Sequence, residues 1–169
     1  MSVLIVVSAH HGKYAKQQLE AVSYGKNLAD QLQTQAIVFS LDEVPAGAPL
    51  GKAGASRVLD CRGLNKSDSM QCSDAVVNVA GQVGAEVVIM AHDDEGKMIA
   101  PRVAARLKAG LVSGVTGLPA SGADFVVSKN VFSGKAIAHV KVLTNSKVLT
   151  LLPNSFAPVM NGSDVATET

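Results

Sequence analysis

Residues 86–115, EVVIMAHDDEGKMIAPRVAARLKAGLVSGV, contain one full unit of the pattern that decides the fold. Residues 86–91, mostly apolar and of strand length, read as a strand. A helix is predicted to begin near Ile99, with Pro101 in its first turn, where a missing amide proton costs least. Residues 111–115 then read as the next strand. Strand, helix and strand in this order require a crossover that places parallel strands in one sheet.

The unit recurs upstream. Residues 3–7 are a continuous apolar strand, and Ala15, Leu19, Val22, Leu28, Ala29 and Leu32 follow at helical spacing. Lys16, Glu20, Asn27 and Asp30 are predicted on the opposite, wet side of that helix. Residues 36–41 read as a second strand, residues 42–51 as a Pro/Gly loop, 52–55 as a short helical turn and 57–61 as a third strand. Val76, Val79, Ala80 and Val83 mark another helix, with Ser67 or Asp68 as its N-cap and Gly84 as its stop.

From about Asp124 the period changes. Residues 125–132, 136–143 and 147–152 are strand-like, with turns at Ser133-Gly134 and Asn145-Ser146. No helix fits between them, so these strands are predicted to be antiparallel. The fold class is α/β: a three-layer, doubly wound parallel sheet, Rossmann-like and adenine-nucleotide-hydrolase-like, with C-terminal antiparallel strands. Residues 161–169 are polar and aperiodic and are not expected to fold.

Composition narrows the function classes. The 169 residues are 47% hydrophobic but only 17% charged, with formal net charge +1. Mean hydropathy is +0.24, which reflects either a surface that a partner covers or simply the many small Ala and Val residues that raise the average. No Lys/Arg run supports nucleic-acid binding. The N-terminal apolar run is too short to span a membrane, and no secretory leader pattern is visible, so a cytoplasmic, reducing setting is expected. Cys61 and Cys72 have no metal spacing, and Cys61 reads as a small buried hydrophobe.

In open parallel sheets, ligands bind beyond the carboxyl ends of the strands where strand order reverses. Two polar loops follow such ends: Ser8, Ala9, His10, His11, Gly12 and Lys13 after the first strand, and His92, Asp93, Asp94, Glu95, Gly96 and Lys97 after the fourth. His10, His11, His92 and Asp93 suit a metal or acid–base site if the loops converge. The plainer reading is wet loop tips, with Asp93 and Asp94 complementing a helix N-terminus. A nucleotide needs a glycine-rich turn, and Gly12 stands alone after the first strand. His139 reads as a satisfied or edge histidine. Arg102 and Arg106, four apart, form either an anion clamp or a solvated face. No residue is assigned a catalytic, cofactor-binding or metal role.

Residues 96–115 carry a further signal. Gly96, Lys97, Ile99, Ala100, Pro101 and Arg102, then Ala104, Ala105, Arg106 and Leu107, then Gly110, Leu111 and Val112, resemble the segment that typifies electron-transfer flavoprotein alpha subunits. Ser133, Gly134, Lys135 and Ala136 resemble a turn of that family, and residues 147–156 resemble the strand ending its N-terminal domain. Gly114 and Leu152 depart from its pattern, where an acidic residue and an arginine are frequent. The resemblance implies an N-terminal domain over residues 1–158, and a polar tail or linker, 159–169, toward an FAD domain. It further implies a non-catalytic scaffold that pairs with an electron-transfer flavoprotein beta subunit. FAD is then a cofactor of the full heterodimer and not of this chain, and flavoprotein dehydrogenases are reached through the complex. The surface meant for the beta subunit also offers a route to self-association. The competing reading is a free-standing nucleotide-binding module of the universal-stress type.

Overall fold

The computed structural model describes residues 2–120, 122 and 124–168. Four strands and two helices open the chain: β1 (Ser2–Val7), α1 (Lys16–Gln31), β2 (Gln35–Ser40), β3 (Arg57–Asp60), α2 (Ser69–Gln82) and β4 (Ala85–Ala91). Then follow α3 (Asp94–Leu107), β5 (Gly110–Val115), β6 (Val126–Val131), β7 (Ala136–Lys141), β8 (Lys147–Leu151) and β9 (Thr167–Glu168). They form one sheet of order β7-β6-β5-β8-β4-β1-β2-β3-β9.

The absence of alternation in β1 has its cause in the two cores. Val3, Ile5 and Val7 pack with Tyr24 and Leu28 of α1. Leu4 and Val6 pack on the other face with Val76 of α2 and Val103 of α3. Each residue of β1 therefore meets a helix layer, and all six are buried. The three-layer α/β reading holds, with α1 on one face and α2 and α3 on the other. Among the described residues, no helix is long and apolar enough to cross a membrane.

Several local expectations are corrected. Residues 51–54 make hydrogen-bonded turns and not a helical turn. Helix α3 begins at Asp94, five residues ahead of Ile99, because the Asp93 side chain caps it by accepting from Gly96 N. Asp94 and Glu95 in the first turn complement the helix dipole. Pro101 thus lies inside the helix, on its exposed side, where the forfeited bond faces water. For α2 the cap is Asp68, which accepts from Met70 N and Gln71 N.

Glu20 is not on a wet face but is buried. Its carboxylate accepts from Asn154 N at 2.9 Å, and Lys16 Nζ lies 3.3 Å away. The segment after β8 crosses α1 there and needs an acceptor for its backbone. Cys61 is only half-buried; the buried thiol is Cys72, pushed up in pKa by desolvation.

Strands β6 and β7 pair antiparallel as expected, with Ser133-Gly134 in the connecting turn. Strand β8 does not join them. It lies between β4 and β5, parallel to both. No crossover helix is needed, because the up-and-down hairpin returns the chain to the starting end of β5. There Gly110 N donates to Ser146 O at 3.2 Å and to Thr144 Oγ1 at 2.7 Å.

The polar tail also has structure. Val159 N donates to Ser23 Oγ, Gly162 N donates to Lys52 O, and β9 pairs parallel with β3.

Candidate functional site

The chain passes from β1 through β2 to β3 on one side, then returns to place β4 on the other side of β1. The carboxyl ends of β1 and β4 therefore flank the switch point, the default ligand position in such sheets. Ser8 follows β1 and is buried; Asp93 and Glu95 open α3 after β4.

These groups fill the crevice themselves. Ser8 Oγ donates to Glu95. The Asp93 carboxylate accepts from Gly96 N at 2.8 Å, Gln18 Nε2 at 2.7 Å and Gln17 Nε2 at 3.1 Å. A side chain at position 96 would run into the Ala91 carbonyl, so glycine there lets α3 start directly over the end of β4. The remaining cavity, lined by Val7, Ser8, Gln18, Met90, Asp93 and Gly96 among others, is about 10 Å³. That is room for about one water. Gln18 Oε1 is buried without a hydrogen-bond partner among the described residues and suits such a water.

The histidines are not part of this arrangement. His10 and His11 are exposed on a turn closed by His10 N to Lys13 O and Lys13 N to His10 O, at 2.9 and 3.1 Å. His92 Nδ1 lies 2.8 Å from Thr150 Oγ1, and burial, with Lys97 and Lys129 nearby, lowers its pKa. Among the described residues, no group of three or more His, Cys, Asp and Glu side chains is placed to hold a metal. The loops converge through Ser8 and Gln18 meeting Glu95 and Asp93. The sequence reading missed these pairs because serine and glutamine carry no spacing signal.

Nor does the crevice fit a flavin or another nucleotide. Its volume is far below that of a small-molecule site, roughly 300 Å³ and upward. Of the helix N-termini at the switch point, that of α3 already carries the Asp93 and Glu95 carboxylates. Its mouth is pinned as well: Asp42 accepts from Ala9 N, and Lys66 Nζ bridges Asp42 and Ala9 O.

The paired arginines do not form a clamp. Arg106 pairs with Asp74 of α2, while Arg102 Nη1 donates to Met98 O on an exposed face. His139 is an exposed edge residue whose Nδ1 lies 3.0 Å from Ser128 Oγ.

The apolar surface lies elsewhere. On and beside the β6–β7 hairpin, Phe132 is 79% exposed, Ile137 64% and Leu143 82%. β7 ends the sheet, and no strand among the described residues pairs with its outer edge.

Comparison with known proteins identifies relatives of the chain as a whole. The family model described as electron transfer flavoprotein domain matches residues 3–169. The chain is also 24% identical over 155 residues to the electron transfer flavoprotein subunit alpha of Bacillus subtilis (strain 168). That match takes in 90% of this chain and 48% of the relative, so the chain spans about half the length of the relative it matches.

Proposed function

From its membership of the electron transfer flavoprotein domain family, we propose that this chain is the scaffold and heterodimerisation domain of an electron-transfer flavoprotein alpha subunit. The assembled protein carries electrons, through FAD, between flavoprotein dehydrogenases and a downstream acceptor. The chain itself performs no catalytic step and works as a fixed platform against a beta subunit. Residues 1–158 form the body of the platform, and the segment after them closes its β3 edge as β9. The setting is cytoplasmic.

The observation that carries the reading is the closed switch point. The position where this sheet type takes a nucleotide is filled by Ser8, Gln18, Asp93 and Glu95. Binding of FAD is therefore assigned to the rest of the assembled protein, whose flavin supplies the redox chemistry. The universal-stress-like alternative requires an open phosphate corner, and two carboxylates in that corner repel phosphate.

Two measurements test the proposal. Mixed with the beta subunit from the same source, the chain is expected to co-elute with it in size-exclusion chromatography. Alone, it is expected to show no flavin absorbance after FAD addition and gel filtration. Stoichiometric yellow protein, or heat stabilisation by AMP or ATP, would overturn the scaffold reading in favour of a nucleotide module.

A further inference from the structure

The outer edge of β7 has a defined set of free backbone groups. Val142 N donates to Phe125 O, which fixes the hydrogen-bonded phase of the β6–β7 ladder. Bonded and non-bonded pairs alternate along an antiparallel ladder. With Val127↔Val140 and Lys129↔Ala138 in register, the even-numbered residues of β7 bond to β6. The N–H and C=O groups of Ile137, His139 and Lys141 therefore face away from the sheet. Consistently, Thr116 N and Ala120 N reach Ser128 O and Val126 O on the other side of β6.

The side chains beside this edge have a chemical character. Val140 and Val127 pack into the core on the α1 side, whereas Ile137, His139 and Lys141 are exposed on the opposite face. Phe132 stands at the tip and Leu143 just past the other end, both exposed. Residues 125–143 contain Lys129, Lys135 and Lys141 and no acidic residue. Lys141 pairs with Asp124 at 2.8 Å, while Lys129 and Lys135 have no ion-pair partner among the described residues. Lysines alone would only discourage edge pairing. Three large apolar groups beside them point instead to a docking strip.

We propose that β7 receives an added strand from the partner subunit, one alternating apolar and acidic residues. Its backbone would bond to Ile137, His139 and Lys141, its apolar side chains would cover Phe132, Ile137 and Leu143, and its carboxylates would meet Lys135 and, in exchange for Asp124, Lys141. This names the contact for the heterodimer proposed above and rests on that reading for the partner's identity, though not for the chemistry of the edge.

The test is amide hydrogen exchange on the full chain, alone, with the beta subunit, and with a synthetic peptide alternating Glu and Val. Ile137, His139 and Lys141 amides are expected to slow in both mixtures, and less so as salt rises. His139→Pro removes an outward N–H and no ladder bond, and is expected to weaken beta-subunit binding about tenfold. Met98→Ser, on α3, is expected to leave binding unchanged. Lys135→Glu at the exposed tip serves as a second variant if His139→Pro fails to fold; it is expected to weaken binding and flatten its salt dependence.

Beta-subunit binding that leaves the three amides unprotected overturns the edge proposal and leaves the heterodimer reading standing. Protection by the peptide without beta-subunit binding does the reverse. Protection by neither probe, or salt-insensitive protection, overturns the acidic-strand proposal, as does protection in the chain alone that rises with concentration.

Discussion

The two outer edges of this sheet are finished in opposite ways. Beside β3, the chain's own tail supplies β9, and Arg57 forms a two-pronged pair with Glu168. Beside β7 nothing among the described residues is added, and the flanking hairpin carries exposed Phe132 and Ile137. An unpaired edge is a template for another strand, so proteins cover or charge the ones they do not use. The covered edge belongs to the domain itself, and the open one is available to a partner.

The tail's docking depends on close backbone approach. A side chain at Gly51 would fall on the Ser163 carbonyl and within 2.7 Å of Val165 N. Gly51→Val is therefore expected to strip the tail from β3 and cost about 2–3 kcal/mol. Urea denaturation measures the loss, and faster tail proteolysis locates it. Stability and proteolysis both at wild-type level would mean that the tail does not hold the β3 edge.

The open edge is supported from behind. Tyr24, with its phenol pushed up by burial, donates to Gly117 O at 3.0 Å and packs edge-on against Phe156. Tyr24→Phe keeps the packing and leaves that carbonyl unpaired, at a cost of about 1 kcal/mol. Exchange should quicken in the segment between β5 and β6 and not around β9. Equal quickening at both edges would show that they are not independent.

The smallest effect concerns pH. Arg57 holds the Glu168 carboxyl below its usual range by hydrogen bonding. A lowered folded-state value makes the pair's contribution full above the ordinary carboxylate pKa. It is lost as pH falls through the lowered value. Protection of the β9 amides, measured against the intrinsic exchange rate at each pH, should fall on acidification below about pH 4, the ordinary carboxylate range, while Ala138 and Val140 of β7, held by β6, keep theirs. A tail equally protected at pH 3 would show that Arg57 and Glu168 contribute nothing to docking.

Much of the core was legible because it follows periodicity. The apolar runs at β1, β2 and β4 are buried on both faces, and a sequence window detects that directly. The start of α3 was missed because Pro101 suggested a first turn, whereas Asp93 capping set the boundary. Glu20 was placed in water because its only partner from the chain's far end, Asn154 N, lies 134 positions away. At the candidate site, the sequence shows both polar loops and marks their histidines. Ser8 and Gln18, the groups that close the crevice on Glu95 and Asp93, carry no pattern of their own.

Taken alone, the sequence determined the layer architecture, the alternation of strands and helices and the family resemblance centred on residues 96–112. Each of these rests on local spacing or residue identity along the chain. Tertiary structure alone decided that β8 enters parallel between β4 and β5, that the tail becomes β9, and that the switch point is shut. It also decided which backbone groups of β7 face outward. These outcomes depend on which distant segments meet, and a pairing free energy between remote residues leaves no periodic trace in either one.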